Sequence, residues 1–221
     1  MRSIASDYYA SLRGALAKGP PPELSQVVEV IFAAFLRGAT VFTLGNGGSA
    51  ALAAHMACDL GKGSTTDISP LAPGQAAPRL NITSLSDNSA LLTAYANDLG
   101  YESVFVEQLR SLLDDHDVVI AISGSGASPN VLRAMEHARA RGATTIGFTG
   151  AASSTAALAT RCDITVRAPL TRIEQVEDLH VTFNHVVALM LRQRVREHLS
   201  ARDLAGIHGD PARPGMPRER R

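Results

Sequence analysis

The sequence predicts an α/β protein of the doubly wound type, and three features of the chain predict it. After residue 38, short runs of consecutive apolar residues alternate with amphipathic stretches of helical period. Each apolar run is at most six residues long, which suits strands that are buried on both faces of a parallel sheet. Glycine- and serine-rich segments follow two of these runs, where such folds bind ligands.

The apolar runs and the amphipathic stretches define the strands and helices in order. Strands are predicted at 39–44, 80–84, 117–122, 144–148 and 164–166. Helices are predicted between them at 49–60, 89–98, 103–113, 128–141 and 153–160. Right-handed crossovers then give one five-stranded parallel sheet with helices on both faces.

Helices also flank this alternating region. A helical pair is predicted at 3–18 and 22–37, separated by the helix-breaking run Gly19–Pro22. A long final helix is predicted at 172–198. We therefore expect one domain over residues 1–198, and a disordered tail over 199–221, where periodicity is lost and Pro, Gly and Arg accumulate. The Gly-, Ser- and Pro-rich stretch 61–78 is predicted to be a mobile or functional loop.

Composition excludes several classes of function. The 221 residues include 21 Lys and Arg against 21 Asp and Glu, so the chain lacks the positive charge of a nucleic-acid-binding protein. The N-terminus has no signal-peptide pattern, and no run of about 18 apolar residues could span a membrane. Two cysteines, Cys58 and Cys162, are too few for a disulfide framework. A cytoplasmic protein is expected.

The two glycine- and serine-rich segments are candidates for binding an anion. Residues 45–49 (Gly-Asn-Gly-Gly-Ser) join the first strand to a helix, and residues 123–128 (Ser-Gly-Ser-Gly-Ala-Ser) join the third strand to another. Glycines let backbone N–H groups approach a ligand, and a helix N-terminus favours negative charge. A phosphate can thus be bound without Lys or Arg. The alternatives are a structural turn and, for Ser128, a helix N-cap.

Histidine and carboxylate side chains lie on two of the predicted helices. His55 and Asp59 are four residues apart and share one helix face. Glu177 and His185 are eight apart on the last helix, about 80° around its axis. These side chains suit a divalent metal ion or acid–base catalysis. The alternatives are a core histidine and a surface ion pair.

Four ordered segments resemble the phosphoheptose isomerases of the sugar isomerase (SIS) domain family. They are GNGGSAALAAHMACDLG (45–61), SDNSALLTAYANDLGYESVF (86–105), ISGSGASPNV (122–131) and VEDLHVTFNHVV (176–187). The resemblance implies a flavodoxin-like sheet, a homotetramer with active sites between subunits, and one Zn²⁺ per site. It implies isomerisation of sedoheptulose 7-phosphate to an aldoheptose 7-phosphate.

The resemblance also implies roles for individual residues. The implied substrate contacts are Asn46, Gly47, Gly48, Ser49, Ser86, Asp87, Ser123, Gly124, Ser125, Ser128 and Glu177. The implied metal ligands are His55, Asp59, Glu177 and His185. Asp59 falls on the position of the catalytic base, and His185 on that of the acid–base histidine.

Four positions depart from the family's usual residues. Asp59 stands where the family has glutamate, so the base reaches about 1.5 Å less far, a difference that can cost ~100-fold in rate. Glu177 stands in place of a glutamine, Gly124 in place of a hydroxyl residue and Leu52 in place of an aspartate. We therefore expect an isomerase whose product is a D-glycero-D-heptose 7-phosphate, with the manno or another C2 configuration such as altro. The alternative is a non-catalytic SIS module that binds a sugar phosphate or a replication-initiator protein.

Overall fold

A computed structural model describes residues 2–63, 79–152 and 156–207 of the chain. Its strands are β1 (Thr40–Gly45), β2 (Asn81–Ser84), β3 (Val118–Ile122), β4 (Thr144–Thr149) and β5 (Ile164–Arg167). They form one parallel sheet in the order β2-β1-β3-β4-β5. This is the flavodoxin-like order of a doubly wound sheet, so the predicted fold is confirmed.

Eight α-helices and one short 3₁₀ helix surround the sheet in the described part of the chain. The α-helices are α1 (Arg2–Leu16), α2 (Glu23–Arg37), α3 (Gly48–Gly63), α4 (Ser89–Leu99), α5 (Val106–Leu112), α6 (Pro129–Ala140), α7 (Ala156–Ala159) and α8 (Ile173–Ile207). A helix was predicted to begin at residue 103, but that residue belongs to the 3₁₀ helix Tyr101–Ser103. Helix α5 therefore begins only at Val106. None of these helices combines the length and the apolar character needed to cross a bilayer.

Helix α8 continues further than the sequence pattern predicts. It ends at Ile207, whereas the pattern predicted its end at residue 198, so residues 199–207 form part of α8. Leu199 packs against the core, and the following residues include the helix formers Ala201, Leu204 and Ala205. The rest of the predicted tail, residues 208–221, lies outside the described residues, as does most of the predicted loop at 61–78.

The three central strands, β1, β3 and β4, are buried on both faces, as their apolar residues predict. Along β3, Val118, Ile120 and Ile122 belong to the core cluster shared with α1, α2, α3 and α8. The alternate residues Val119 and Ala121 belong to a second cluster with α5 and α6. Side chains of a strand alternate between faces, so one short apolar strand supplies both cores. Helices therefore pack against both faces of the sheet, one apolar core on each face, and fix the strands whose carboxyl ends form one edge.

A buried histidine lies between α8 and the sheet. His180 is fully buried, and its Nε2 donates a hydrogen bond to the carbonyl oxygen of Thr149 at 3.1 Å. Its ring meets the ring of Phe148 edge to face, with centroids 6.0 Å apart. Burial lowers the pKa of His180 to about 4, although the bond to Thr149 opposes the shift. The imidazole is therefore neutral in the folded protein at neutral pH.

We expect His180 to make the fold sensitive to mild acid. Between pH 6.5 and pH 4 the unfolded chain binds a proton at this histidine that the folded chain does not, so stability falls as the pH falls. The loss is about 3 kcal/mol over this interval. Urea unfolding at several pH values should show it in the wild type and not in His180→Gln, which keeps a donor for Thr149. Parallel pH dependences in the two proteins would contradict this.

Candidate active site

Two loops start side by side at the carboxyl edge of the sheet. Gly45, the last residue of β1, pairs with Ile122, the last residue of β3. Residues 45–49, here the first loop, lead into α3, and residues 123–128, the second loop, lead into α6. The strand order reverses between β1 and β3, and ligands of open α/β sheets bind at such a point.

An amide pair joins the first loop to the start of α6. Asn46 Nδ2 donates to Asn130 Oδ1, and Asn130 Nδ2 donates to Asn46 Oδ1, both at 2.9 Å. The Tyr101 hydroxyl also donates to Asn46 Oδ1, at 3.0 Å. Asn130 is only 2% exposed. The sequence reasoning did not single out Asn130. The sequence feature that could have pointed to Asn130 is its position in the first turn of a helix, because an asparagine side chain there forms hydrogen bonds with nearby backbone groups and so disfavours the helix interior.

Two of the predicted substrate-binding serines bond to the backbone of the loops instead. Ser123 is buried, and its Oγ accepts the N–H of Gly126 at 3.1 Å. Ser86 Oγ donates to the carbonyl of Gly45 at 3.1 Å and lies 3.3 Å from its N–H, which it can accept. These two hydroxyls therefore hold the shape of the loops.

The remaining predicted substrate contacts lie around the same edge. Ser125 and Asp87 are exposed, as are Gly47 and Gly48, and Ser128 is half-buried. Ser128 occupies the N-cap position of α6, but its side chain makes no capping bond. Ser49 is buried in the first turn of α3.

Gly124 lies close to the start of α8. A Cβ built on Gly124 would lie 2.3 Å from Cδ1 of Ile173, the first residue of α8. This atom is the far end of a side chain that is 45% exposed, so Ile173 can rotate away from a larger residue at position 124.

A carboxylate and two imidazoles converge where α3 packs against α8. His55 Nε2 lies 3.1 Å from Asp59 Oδ2, and His185 Nε2 lies 3.8 Å from the same oxygen. One potential ligand atom from each residue falls within 4.8 Å of the other two. Asn184 Nδ2 donates to Asp59 Oδ2 at 2.9 Å. One imidazole and one carboxylate come from α3, and the second imidazole comes from α8.

Glu177, the fourth predicted metal ligand, is not part of this group. It precedes His185 by eight residues, which is about 12 Å along the axis of α8. Its carboxylate lies over the first residue of α3 instead: a Cβ built on Gly48 would be 2.5 Å from Glu177 Oε1. A negative charge is favoured at a helix N-terminus. The structure thus brings together three of the four predicted ligands.

A cavity of about 360 Å³ has His55 in its wall. It is lined by Tyr8, Gly48, Ala51, Leu52, His55, Glu174, Glu177, Asp178 and Val181. The Tyr8 hydroxyl donates to Asp178 Oδ2, and this hydrogen bond raises the pKa of Tyr8 to about 12. The phenol therefore stays protonated and ties α1 to α8 at the cavity wall.

The donor set fits two kinds of chemistry. A carboxylate between two imidazoles can move protons, and the same three groups are ligands that Zn²⁺ accepts. The loops next to it offer hydroxyl and backbone N–H donors to an anion. The arrangement suits a small phosphorylated substrate that undergoes proton transfer.

The chain matches the SIS domain family model over residues 7–150. Among curated proteins, it is 36% identical over 166 residues to a phosphoheptose isomerase from Rhodospirillum rubrum, a match that covers 75% of this chain and 82% of the relative. It is 37% identical over 158 residues to a phosphoheptose isomerase from Solidesulfovibrio magneticus, with 72% of each chain covered.

Among solved structures, the chain is similar to a phosphoheptose isomerase from Francisella tularensis. The TM-score is 0.75 at 26% identity, with 87% of this chain and 98% of that chain covered. A phosphoheptose isomerase from Neisseria gonorrhoeae gives the same TM-score and coverage at 25% identity.

We expect the amide pair to support anion binding by the two loops. Asn130→Leu removes both bonds to Asn46 at similar volume, and the resulting freedom of the first loop should weaken binding of a phosphate monoester about tenfold, since a lost buried hydrogen-bond partner costs ~1–3 kcal/mol. Calorimetric titration measures the affinity. Tyr101→Phe is the matched control, because it removes one bond to Asn46 and leaves the pair. Equal affinities in Asn130→Leu and the wild type would contradict the prediction.

Proposed function

The chain belongs to the SIS domain family and, within it, to the phosphoheptose isomerases, and on this premise we propose the reaction of its site. The protein is an aldose–ketose isomerase that interconverts sedoheptulose 7-phosphate and a D-glycero-D-heptose 7-phosphate. The observation that carries the proposal is the single carboxylate of Asp59, on the helix that the first loop opens, held between the imidazoles of His55 and His185.

The reaction requires two proton transfers. A base takes a proton from C1 of the ketose, and the resulting enediolate receives a proton at C2, while a second proton passes from the C1 oxygen to the C2 oxygen. Asp59 is the base for the carbon-bound proton. His185, 3.8 Å from Asp59 Oδ2 and half-exposed, moves the proton between the oxygens.

His55, Asp59 and His185 would hold a divalent ion, and we propose Zn²⁺. Their donor atoms fall within 4.8 Å of one another, and imidazole and carboxylate are both zinc ligands. When bound, the ion supplies Lewis acidity that stabilises negative charge on the sugar oxygens. Glu177 lies against Gly48 and lines the cavity that contains His55, so we propose that it contacts the substrate there.

The two loops would hold the substrate's phosphate. The accessible serines, Ser125 and Ser128, and the N-terminus of α3 near Ser49 supply neutral donors. Asn46, Gly47 and Gly48 border the sugar, and Ser86 and Asp87 lie at the end of the neighbouring strand β2. Ser123 and Gly124, at the start of the second loop, complete the proposed set of phosphate contacts, and the bond from the Gly126 N–H to Ser123 Oγ holds the loop in shape.

The configuration at C2 of the product depends on the face from which the proton arrives. Asp59 is one methylene shorter than the glutamate typical of the family, and Asn184 and His55 hold it close to the surface where α3 and α8 meet. We propose that this position selects between the manno and altro products.

Asp59→Asn should abolish most of the isomerisation. Loss of a general base typically lowers kcat by ~10²–10⁴-fold, and the amide is nearly isosteric. Proton NMR of sedoheptulose 7-phosphate incubated with the enzyme measures the rate, and the C2 coupling pattern identifies the product.

The matched control for this prediction is Asp115→Asn. Asp115 is also an aspartate paired with a histidine, His116 at 2.8 Å, but it lies on the surface between α5 and β3. It should leave kcat unchanged. Full activity in Asp59→Asn, or no turnover of the sugar by folded wild type, would overturn the proposed function.

We also propose that the protein forms a homotetramer. Large apolar side chains are exposed on α1 and α8, among them Ile4 at 65%, Tyr9 at 73% and Leu189 at 62%. An apolar groove of about 450 Å³ runs between the C-terminal end of α1 and the middle of α8. Such surface usually marks an interface between proteins.

Light scattering should therefore give the mass of four chains for the wild type and a smaller assembly for Leu189→Glu. Leu112→Glu is the control, because Leu112 is exposed to a similar degree on α5, across the sheet from α8. A monomeric wild type would refute the proposed assembly.

A further inference from the structure

Asn184 is a buried polar residue on the core-facing side of α8, one turn after the buried His180. The side chain is completely buried, and its neighbours on α8, Phe183 and Val187, are core residues. Burying an amide is unfavourable unless its hydrogen bonds are replaced. A polar side chain at this position therefore needs a reason that apolar packing does not supply.

The bond to Asp59 supplies that reason. Asn184 Nδ2 donates to Asp59 Oδ2 at 2.9 Å, across 125 positions of sequence. His55 and His185 approach the same oxygen, but their side chains are 42% and 53% exposed, whereas Asn184 is shielded from solvent. Asn184 is thus the buried, uncharged donor to this carboxylate.

The other end of the amide points to the same conclusion. Asn184 Oδ1 is buried and has no hydrogen-bond partner among the described residues. A side chain retained for stability would have both ends satisfied, because an unpaired buried acceptor is costly. Here the end that faces Asp59 is the one that is bonded.

We propose that Asn184 is a positioning residue for Asp59, which rests on the role of Asp59 proposed above. Its N–H anchors Oδ2 and so restricts rotation of the carboxylate about its terminal torsion. Adjacent residues of a helix point about 100° apart, so Asn184 approaches Asp59 from the core while His185 approaches from the solvent side. Two adjacent residues of α8 therefore contact the proposed base: Asn184 fixes the position of the Asp59 carboxylate, and His185 lies beside it. Hydrogen bonds of this kind commonly orient carboxylates that act as metal ligands or bases.

Asn184→Leu tests the proposal, since leucine has a similar volume and removes the donor. We expect kcat for sedoheptulose 7-phosphate to fall at least tenfold with KM changed less than threefold. We expect Co²⁺ affinity, measured from the visible absorption of the ion, to fall ~10-fold. The melting temperature should stay the same or rise, because an unpaired buried acceptor is lost.

Two comparisons separate positioning from general damage. Val187→Ala, a buried change about one turn after Asn184 on α8, should lower the melting temperature and leave kcat unchanged. In an Asp59→Ala background, Asn184→Leu should have no further effect on Co²⁺ affinity. An equal effect in both backgrounds would overturn the proposal.

Crystal structures of the wild type and Asn184→Leu decide the matter without either assay. The proposal expects the Asp59 carboxylate to leave its position between the histidines in the variant. An unmoved carboxylate overturns it, even if the wild type is an active isomerase. A wild type without isomerase activity refutes the proposed function instead, while a displaced carboxylate would still establish positioning.

Discussion

The parallel pairing of β1 with β3 is the constraint on which the rest of the site depends. It sets Gly45 opposite Ile122, so the first and second loops leave the sheet next to each other. The chain then turns to α3 on one face and to α6 on the other, as the membership of the two core clusters shows. A crevice opens between the loops for this reason, and the Asn46–Asn130 pair spans it.

The acid–base side chains depend on a second contact, between α3 and α8 on one face of the sheet. Apolar residues of both helices, including Met56 and Leu60 of α3 and Val187 and Leu191 of α8, belong to one core cluster. This packing brings Asp59 to Asn184 and His185. Among the described residues, the buried atoms Asn184 Oδ1 and His180 Nδ1 have no hydrogen-bond partner. Apolar burial around α8 offsets the cost of these two groups.

Much of the fold and part of the site could be predicted from sequence. The central strands β1, β3 and β4 were predictable because each is buried on both faces and therefore largely apolar. The proximity of His55 and Asp59 follows from helix geometry, since residues four apart share a face. Asn130 and Asn184 could not be assigned in this way, because their partners are 84 and 125 residues distant. The extent of α8 was also missed, since its last turns lack a clear apolar stripe.

The sequence by itself determined the class of fold and the two loops, because these depend on local spacing and on residue type. The candidate base and acid, Asp59 and His185, came from the resemblance of the sequence to a known family. Only the tertiary structure decided which side chains meet. In the folded chain the hydroxyls of Ser123 and Ser86 form hydrogen bonds with the backbone of the loops. The carboxylate of Glu177 lies over the N-terminus of α3, and Asn184 donates a hydrogen bond to Asp59. The physical reason is that hydrogen bonds and close contacts between distant segments depend on how helices pack on the sheet. That packing is set by the summed burial of many apolar residues, and no local pattern records it.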